Sequence, residues 1–306
     1  DLPILTSTVI PYRGAWLEYE TDANDIFWVR IDKNRKIPVT VLIRALGIES
    51  DDEIKKYFGE DMRLVTTMEK DLMNDEAVKN GTSVGDEALK EIYKKLRPGE
   101  PPLVESAQIL LNNLFFDPKR YDLAAVGRYK YDKKLALGKR IAGHKLAEPV
   151  VSPITGELLY EEGETLDADK AMAIEHAGVN EVKLYAEDGE TVIKVFGNGM
   201  IEPKYVIGCD LDDIGITERA KLSVILEIME EVQGDIDEFK KIAKNRIMDL
   251  SPKHITKDDI FASINYLTCL ANGIGTRDDI VVPRHQVAGH VGIHRGPGVP
   301  RPIDDL

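Results

Sequence analysis

Two cysteines in 306 residues, Cys209 and Cys269, are too few for a disulfide framework or a four-cysteine zinc site. That scarcity fits a reducing cytosol, the compartment expected for the chain. No apolar run approaches the ~20 residues needed to span a bilayer, so no membrane partner is expected. The opening residues DLPILTSTVIPYRG lack the charged and apolar regions of a secretory signal. The usual glycine signatures are missing too. There is no G-x-x-x-x-G-K-[ST] and no G-x-S-x-G, and Gly197-Asn198-Gly199 does not complete G-x-G-x-x-G. No Cys/His dyad is apparent, and the residues taken alone show no catalytic centre. Positive charge is in the minority, 40 Lys and Arg against 54 Asp and Glu, for a net −14. That excludes a protein that coats nucleic acid by bulk charge but leaves room for a local basic patch.

What is present suits a globular chain. Hydrophobic residues make up 43% and charged residues 31%, and the length allows about two domains or one large domain with an insertion. Asp25–Ile31 (DIFWVRI) is aromatic and β-branched, and Ile37–Ile43 (IPVTVLI) is almost continuously apolar, so both read as strands of one hairpin. Its tip is basic: Arg30, Lys33, Arg35 and Lys36 against Asp32 give +3. Leu89, Ile92, Tyr93 and Leu96 form one apolar stripe, predicting a helix over Glu87–Leu96 that Pro98 stops. The pattern repeats over Val104–Phe115. Beyond about Arg140 the spacing predicts a helix over Asp167–His176 capped by Asp167, then a hairpin around Asp188-Gly189. Helices are predicted over Thr217–Val232 and Ile236–Met248. Thr256 to Asp259 has the form of a capping box and opens a last helix that ends at Asn272-Gly273. The expected class is mixed α/β (α+β). Its expected parts are a core over 1–139, a small inserted α/β module over 140–250, a closing helix over 251–280 and an irregular tail over 281–306.

Three groups of residues invite a chemical reading. Asp210, Asp212 and Asp213 have hard oxygens for a divalent cation, but acidic residues also favour the start of a helix, here the one expected near Thr217. His285, His290 and His294 would share a face only on a helix, which the surrounding glycines and prolines oppose. Pro11-Tyr12-Arg13-Gly14-Ala15-Trp16 puts an arginine and a tryptophan beside a bend that glycine permits. Such an indole is either a core residue or a platform on which a nucleobase stacks.

Longer strings carry a resemblance. STVIPYRGAWLEYETD, VRIDKNRKIPVTVLIRALG, LRPGEPP, LFFDPKRYDLAAVGRYKYDKKL and ITKDDIFASINYLTCLANGIGTRDDI occur in order between residues 7 and 280. Together they resemble the lobe domain of the beta subunit of bacterial DNA-directed RNA polymerase. SPITGELLYEEGETLD is similar to the version found in Gram-positive bacteria. The resemblance implies a lobe that forms one wall of the DNA cleft, in an enzyme of template-directed, magnesium-dependent nucleotidyl transfer. In that family the metal-binding aspartates belong to the other large subunit and the catalytic lysines lie much later in the beta chain. This chain alone is therefore expected to catalyse nothing and to hold no cofactor. Trp16 resembles a tryptophan that stacks on a non-template base, and Arg97 resembles an arginine lining the same pocket. Arg30, Lys33, Arg35 and Lys36 fall in a matched segment and are candidates for phosphate contacts. The implied partners are the non-template strand, the downstream duplex, other polymerase subunits and the initiation factor. The alternative reading is a protein-docking module, in which Glu157, Glu161, Glu162 and Glu164 of the 140–250 segment bind transcription regulators. The family continues D-D-I-D-H-L-G-N-R-R, whereas here Val281-Val282 follows Asp278-Asp279-Ile280.

Overall fold

The computed structural model describes residues 4–217 and 219–277, together with the backbone of 290–295. The chain opens with strands β1 (Leu5–Ile10), β2 (Leu17–Thr21), β3 (Phe27–Ile31) and β4 (Ile37–Pro38). Helices follow as α1 (Val39–Ala45), α2 (Asp51–Phe58), α3 (Met62–Asp71), α4 (Met73–Asn80), α5 (Val84–Leu96), α6 (Val104–Phe115) and α7 (Ala124–Leu135). Next come α8 (Gly138–Ile141), β5 (Val150–Val151), β6 (Leu158–Tyr160), α9 (Ala168–His176), β7 (Glu181–Tyr185), β8 (Val192–Phe196) and β9 (Met200–Ile201). They lead to α10 (Lys204–Ile207), β10 (Ala220–Lys221), α11 (Leu222–Glu231), α12 (Ile236–Asn245) and α13 (Ile247–Leu250). Helix α14 (Lys257–Ala271) and strand β11 (His290–Arg295) complete an α+β fold.

The main sheet is antiparallel with strand order β11-β1-β2-β3-β4. Strict alternation along β1, β2 and β3 buries Leu5, Val9, Leu17, Tyr19, Phe27, Val29 and Ile31 on one face. The other face stays half-exposed and carries Thr6, Thr8, Glu18, Glu20, Trp28 and Arg30. Behind the sheet, α1 and α14 run through the core, with residues Asp259 to Leu270 buried along almost the whole of α14. Thr256 caps that helix as its sequence predicts. Its hydroxyl accepts from the Asp259 N–H at 3.1 Å, and the Asp259 carboxylate accepts from the Thr256 N–H at 2.8 Å.

Ile37–Ile43 is not a strand beyond Pro38. The chain turns there into α1, in which every residue from Val39 to Arg44 is buried. A helix enclosed on all sides needs no polar face, so the almost continuously apolar stretch through Ile43 looks like that of a buried strand. Helices α2 and α4 bury only two residues each, Ile54 and Phe58 or Met73 and Ala77, too few to make a stripe visible in the sequence. The helix expected from Thr217 begins only at Leu222, because Ala220 and Lys221 first pair with Ile201 and Met200. Within the segment expected to be irregular, 290–295 forms the edge strand β11 against β1. Residues 137–195 enclose a second apolar cluster, to which α14 contributes Cys269, and residues 201–250 enclose a third.

Candidate nucleic-acid interface

Trp16 lies one residue before β2, and its carbonyl accepts from the Asp32 N–H at 2.9 Å, which sets it opposite the basic turn after β3. That turn is tight. The Asn34 N–H bonds the Ile31 carbonyl at 3.1 Å, while Asp32 and Lys33 have φ of 48° and 64°. Two left-handed central residues make a type I′ turn, which matches the twist of the flanking strands. Neither residue is glycine, and the Asn34 side-chain amide holds the turn by donating to the carbonyls of Ile31 at 3.0 Å and Asp32 at 3.4 Å. The geometry swings exposed Lys33 back over the strand, with its Nζ 4.9 Å from the centroid of the half-buried Trp16 ring. An ammonium over an indole face is a cation–π contact.

Trp28 repeats the arrangement one strand over. Lys36 Nζ stands 4.9 Å from its ring centroid and 3.3 Å from Glu20. The Trp28 indole N–H donates to Asp22 at 2.8 Å, and the same carboxylate accepts from the N–H of Asn24 at 2.9 Å and of Ile26 at 3.0 Å. Burial opposes ionisation of Asp22, but these donors outweigh it and hold the carboxyl below its usual range. Arg30 faces Glu18 at 3.6 Å. The sheet face forms a cleft of about 360 Å³ lined by Thr6, Thr8, Trp28, Arg30, Lys33 and Lys36 among others.

Of the expected site residues, the structure gathers Trp16, Arg30, Lys33 and Lys36 on this face. Arg35 is exposed on the same turn. Arg13 is exposed on the preceding bend, where its backbone exchanges hydrogen bonds with Asp122 at 3.1 and 2.8 Å. Gly14 is required there: its φ is +129°, and a Cβ would lie 2.6 Å from the Tyr121 ring. Arg97 is exposed at the C-terminal end of α5, beside the turn it begins. No hydrogen bond, ion pair or ring contact joins it to Trp16 among the described residues. Asp213 pairs with Lys240 at 2.9 Å, and no group of three or more His, Cys, Asp or Glu is placed to hold a metal among the described residues. His285 and the side chains of His290 and His294 lie outside the described residues.

Sequence reasoning missed Trp28, which it treated only as a strand former, and a buried polar network behind the sheet. Arg128 of α7 donates to Asp132 at 3.2 Å, to Asp259 at 2.9 Å and to the Pro252 carbonyl at 2.9 Å, and also bonds the His254 carbonyl. Asn198 donates to Asp132 and Asp259, each at 2.9 Å. Burial pushes Asp132 up to about 6 despite the adjacent guanidinium. This network fixes α7, α14 and the chain after β8 to one another.

Residues 2–147 match the family model described as RNA polymerase Rpb2, domain 2. The chain is 52% identical over 278 residues to the DNA-directed RNA polymerase subunit beta of Acetivibrio thermocellus, covering 90% of this chain and 21% of that protein. It is 52% identical over 277 residues to the same subunit of Clostridioides difficile, covering 90% and 22%. For Clostridium acetobutylicum the identity is 49% over 277 residues, covering 90% and 21%. The chain thus spans about a fifth of the length of the curated relatives it matches. Identity near one half, sustained over nine-tenths of the chain, places it in the beta-subunit family of bacterial DNA-directed RNA polymerases.

Proposed function

We propose that this chain forms part of one wall of the DNA cleft of an RNA polymerase and contacts the non-template strand during transcription. It works there with the other polymerase subunits and the initiation factor. In this reading it contributes contacts and no bond-making step, and magnesium-dependent nucleotidyl transfer is carried by other parts of the enzyme. The observation that supports it best is Trp16, half-buried on the hairpin with the Lys33 ammonium over its ring. An unpaired base can take the place of the ammonium on the indole while the lysine turns to the neighbouring phosphate. One such stack contributes about 1–3 kcal/mol. Arg13, Arg35 and Arg97, all exposed, supply further cationic contacts. The test is Trp16→Ala in the assembled polymerase on a synthetic bubble with 2-aminopurine in the non-template strand. The open complex should shorten its lifetime roughly five- to hundredfold, with nucleotide addition on a preformed hybrid unchanged. An unaltered lifetime at every 2-aminopurine position refutes the proposal.

A second reading has its own observation. Val151, Ile154 and Leu158 are exposed at 48%, 40% and 54% around the β5–β6 turn, next to exposed Glu157, Glu161 and Glu162. Glu164 is engaged by Lys170 at 2.9 Å. An apolar patch rimmed by acid suits a basic protein partner such as a transcription regulator. Replacing Glu157, Glu161 and Glu162 with lysine should release that partner and leave open-complex lifetimes as they were.

A further inference from the structure

The geometry points to a second stacking platform: Trp28 binds a nucleobase of the same single strand that Trp16 engages, so the solvent face of β2 and β3 is a two-ring track for single-stranded nucleic acid. The inference rests on the reading of Trp16 given above and extends it to a residue not singled out by the sequence.

Both indoles are presented by the same face. Along β2 the buried residues are Leu17, Tyr19 and Thr21, so Trp16 belongs with Glu18 and Glu20 on the opposite side. Trp28 is paired with Glu20 in register and shares that side. Four residues separate the level of Trp16 from that of Trp28, about 13 Å at ~3.3 Å per strand residue. A stacked strand advances about 3.4 Å per nucleotide, so this distance covers about four stacked nucleotides and fewer extended ones. An exposed antiparallel sheet face with aromatic rings two strands wide is the arrangement on which RRM domains stack successive bases.

Trp28 is built to receive a ring. Its N–H edge is tied to Asp22, and Asp22 is itself held by two backbone donors, so the indole plane is fixed before any ligand arrives. Clefts of about 360 Å³ and 390 Å³ both have Trp28 and Lys36 in their walls, so Trp28 borders open space in two places. Lys36 stands over Trp28 as Lys33 stands over Trp16, and both lysines come from one turn. Each ammonium occupies the place of a base and lies within a side chain's swing of the phosphate that would follow it.

Charge supports a strand that is held by stacking more than by salt-like contacts. Arg30, Lys33 and Lys36 face Glu18 and Glu20, a local sum of +1 in a chain of −14. Glu18 and Glu20 hold Arg30 and Lys36 at 3.6 and 3.3 Å and exclude a phosphate from the floor between the rings. Bases therefore face the sheet and phosphates lie along the lysine side. A duplex, whose bases are hidden, gains nothing from such a face.

The experiment uses the assembled polymerase containing this chain's beta subunit, on a synthetic bubble with 5-iododeoxyuridine placed at successive non-template positions and photo-crosslinked. Crosslinks are expected to both Trp16 and Trp28, at positions two to four nucleotides apart. Trp28→Ala should abolish the second crosslink, keep the first, and speed strand release roughly five- to hundredfold. Trp28→Phe, which keeps a ring, should retain most of the lifetime, and the crosslink to Trp28 itself reports base contact apart from folding. Crosslinks at Trp16 with none at Trp28 overturn the second platform and leave the first standing. Crosslinks at neither overturn both. Release equally fast in Trp28→Phe and Trp28→Ala also overturns the second platform, because a retained ring would still stack on the base.

Discussion

Arg128→Ala tests the network that holds the sheet-bearing half of the molecule to α14. In the folded chain the guanidinium serves two carboxylates, Asp132 and Asp259, and the carbonyls of Pro252 and His254. Asp132 is 3% exposed and Asp259 1%, so water cannot replace the lost donors. Breaking a buried pair by removing one partner costs about 3–5 kcal/mol, and here two acids lose their counter-charge at once. Asp132 can limit the damage by taking up a proton, because burial already lifts it to about 6. The cost should therefore be larger at pH 8 than at pH 5. Against a typical total of ~5–15 kcal/mol, a loss of this size lowers the melting point by roughly 6–20 °C. Thermal and urea unfolding at both pH values is the assay. A loss below about 1 kcal/mol, or one equal at the two pH values, would refute the idea that charge compensation at Arg128 fixes these elements together.

Two further outcomes follow from the same buried geometry. The folded state raises Asp132 above the ordinary carboxylate range, so the fold binds a proton there that the unfolded chain releases between about pH 4 and 6. That contribution is present below the unfolded value, is lost as pH rises through about 6, and amounts to on the order of 2–3 kcal/mol. Asp132→Asn should remove it, so the difference in unfolding free energy between variant and parent should change across pH 4–6 and stay flat from pH 7 to 8. Gly14→Ala forces a Cβ onto the Tyr121 ring at a φ of +129°. It should cost about 1–3 kcal/mol in urea unfolding and loosen the bend that presents Arg13 and Trp16.

What could be read in advance divides along the range of the forces involved. The capping box of Thr256 and Asp259, the Asp167 cap of α9 and the Asp188-Gly189 hairpin depend on residues within a few positions of one another, and each is visible as a short string. Alternation in β1 to β3 is visible because one face of the sheet meets water. Helix α1 is not, because burial on every side erases the period that would have named it. Arg128 and Asp259 are 131 residues apart, and nothing local marks either as the other's partner. The candidate site lies between these cases. Its basic turn and Trp16 stand out by composition alone, but the turn's conformation does not, since Asp32 and Lys33 take left-handed angles with no glycine to announce them. Without that conformation Lys33 has no reason to lie over Trp16, nor Lys36 over Trp28. A tryptophan inside an apolar, β-branched segment is then indistinguishable from a core residue. Only the register Glu20 to Trp28, fixed by the burial of Tyr19 and Val29 next to them, turns the second indole outward and makes it a surface.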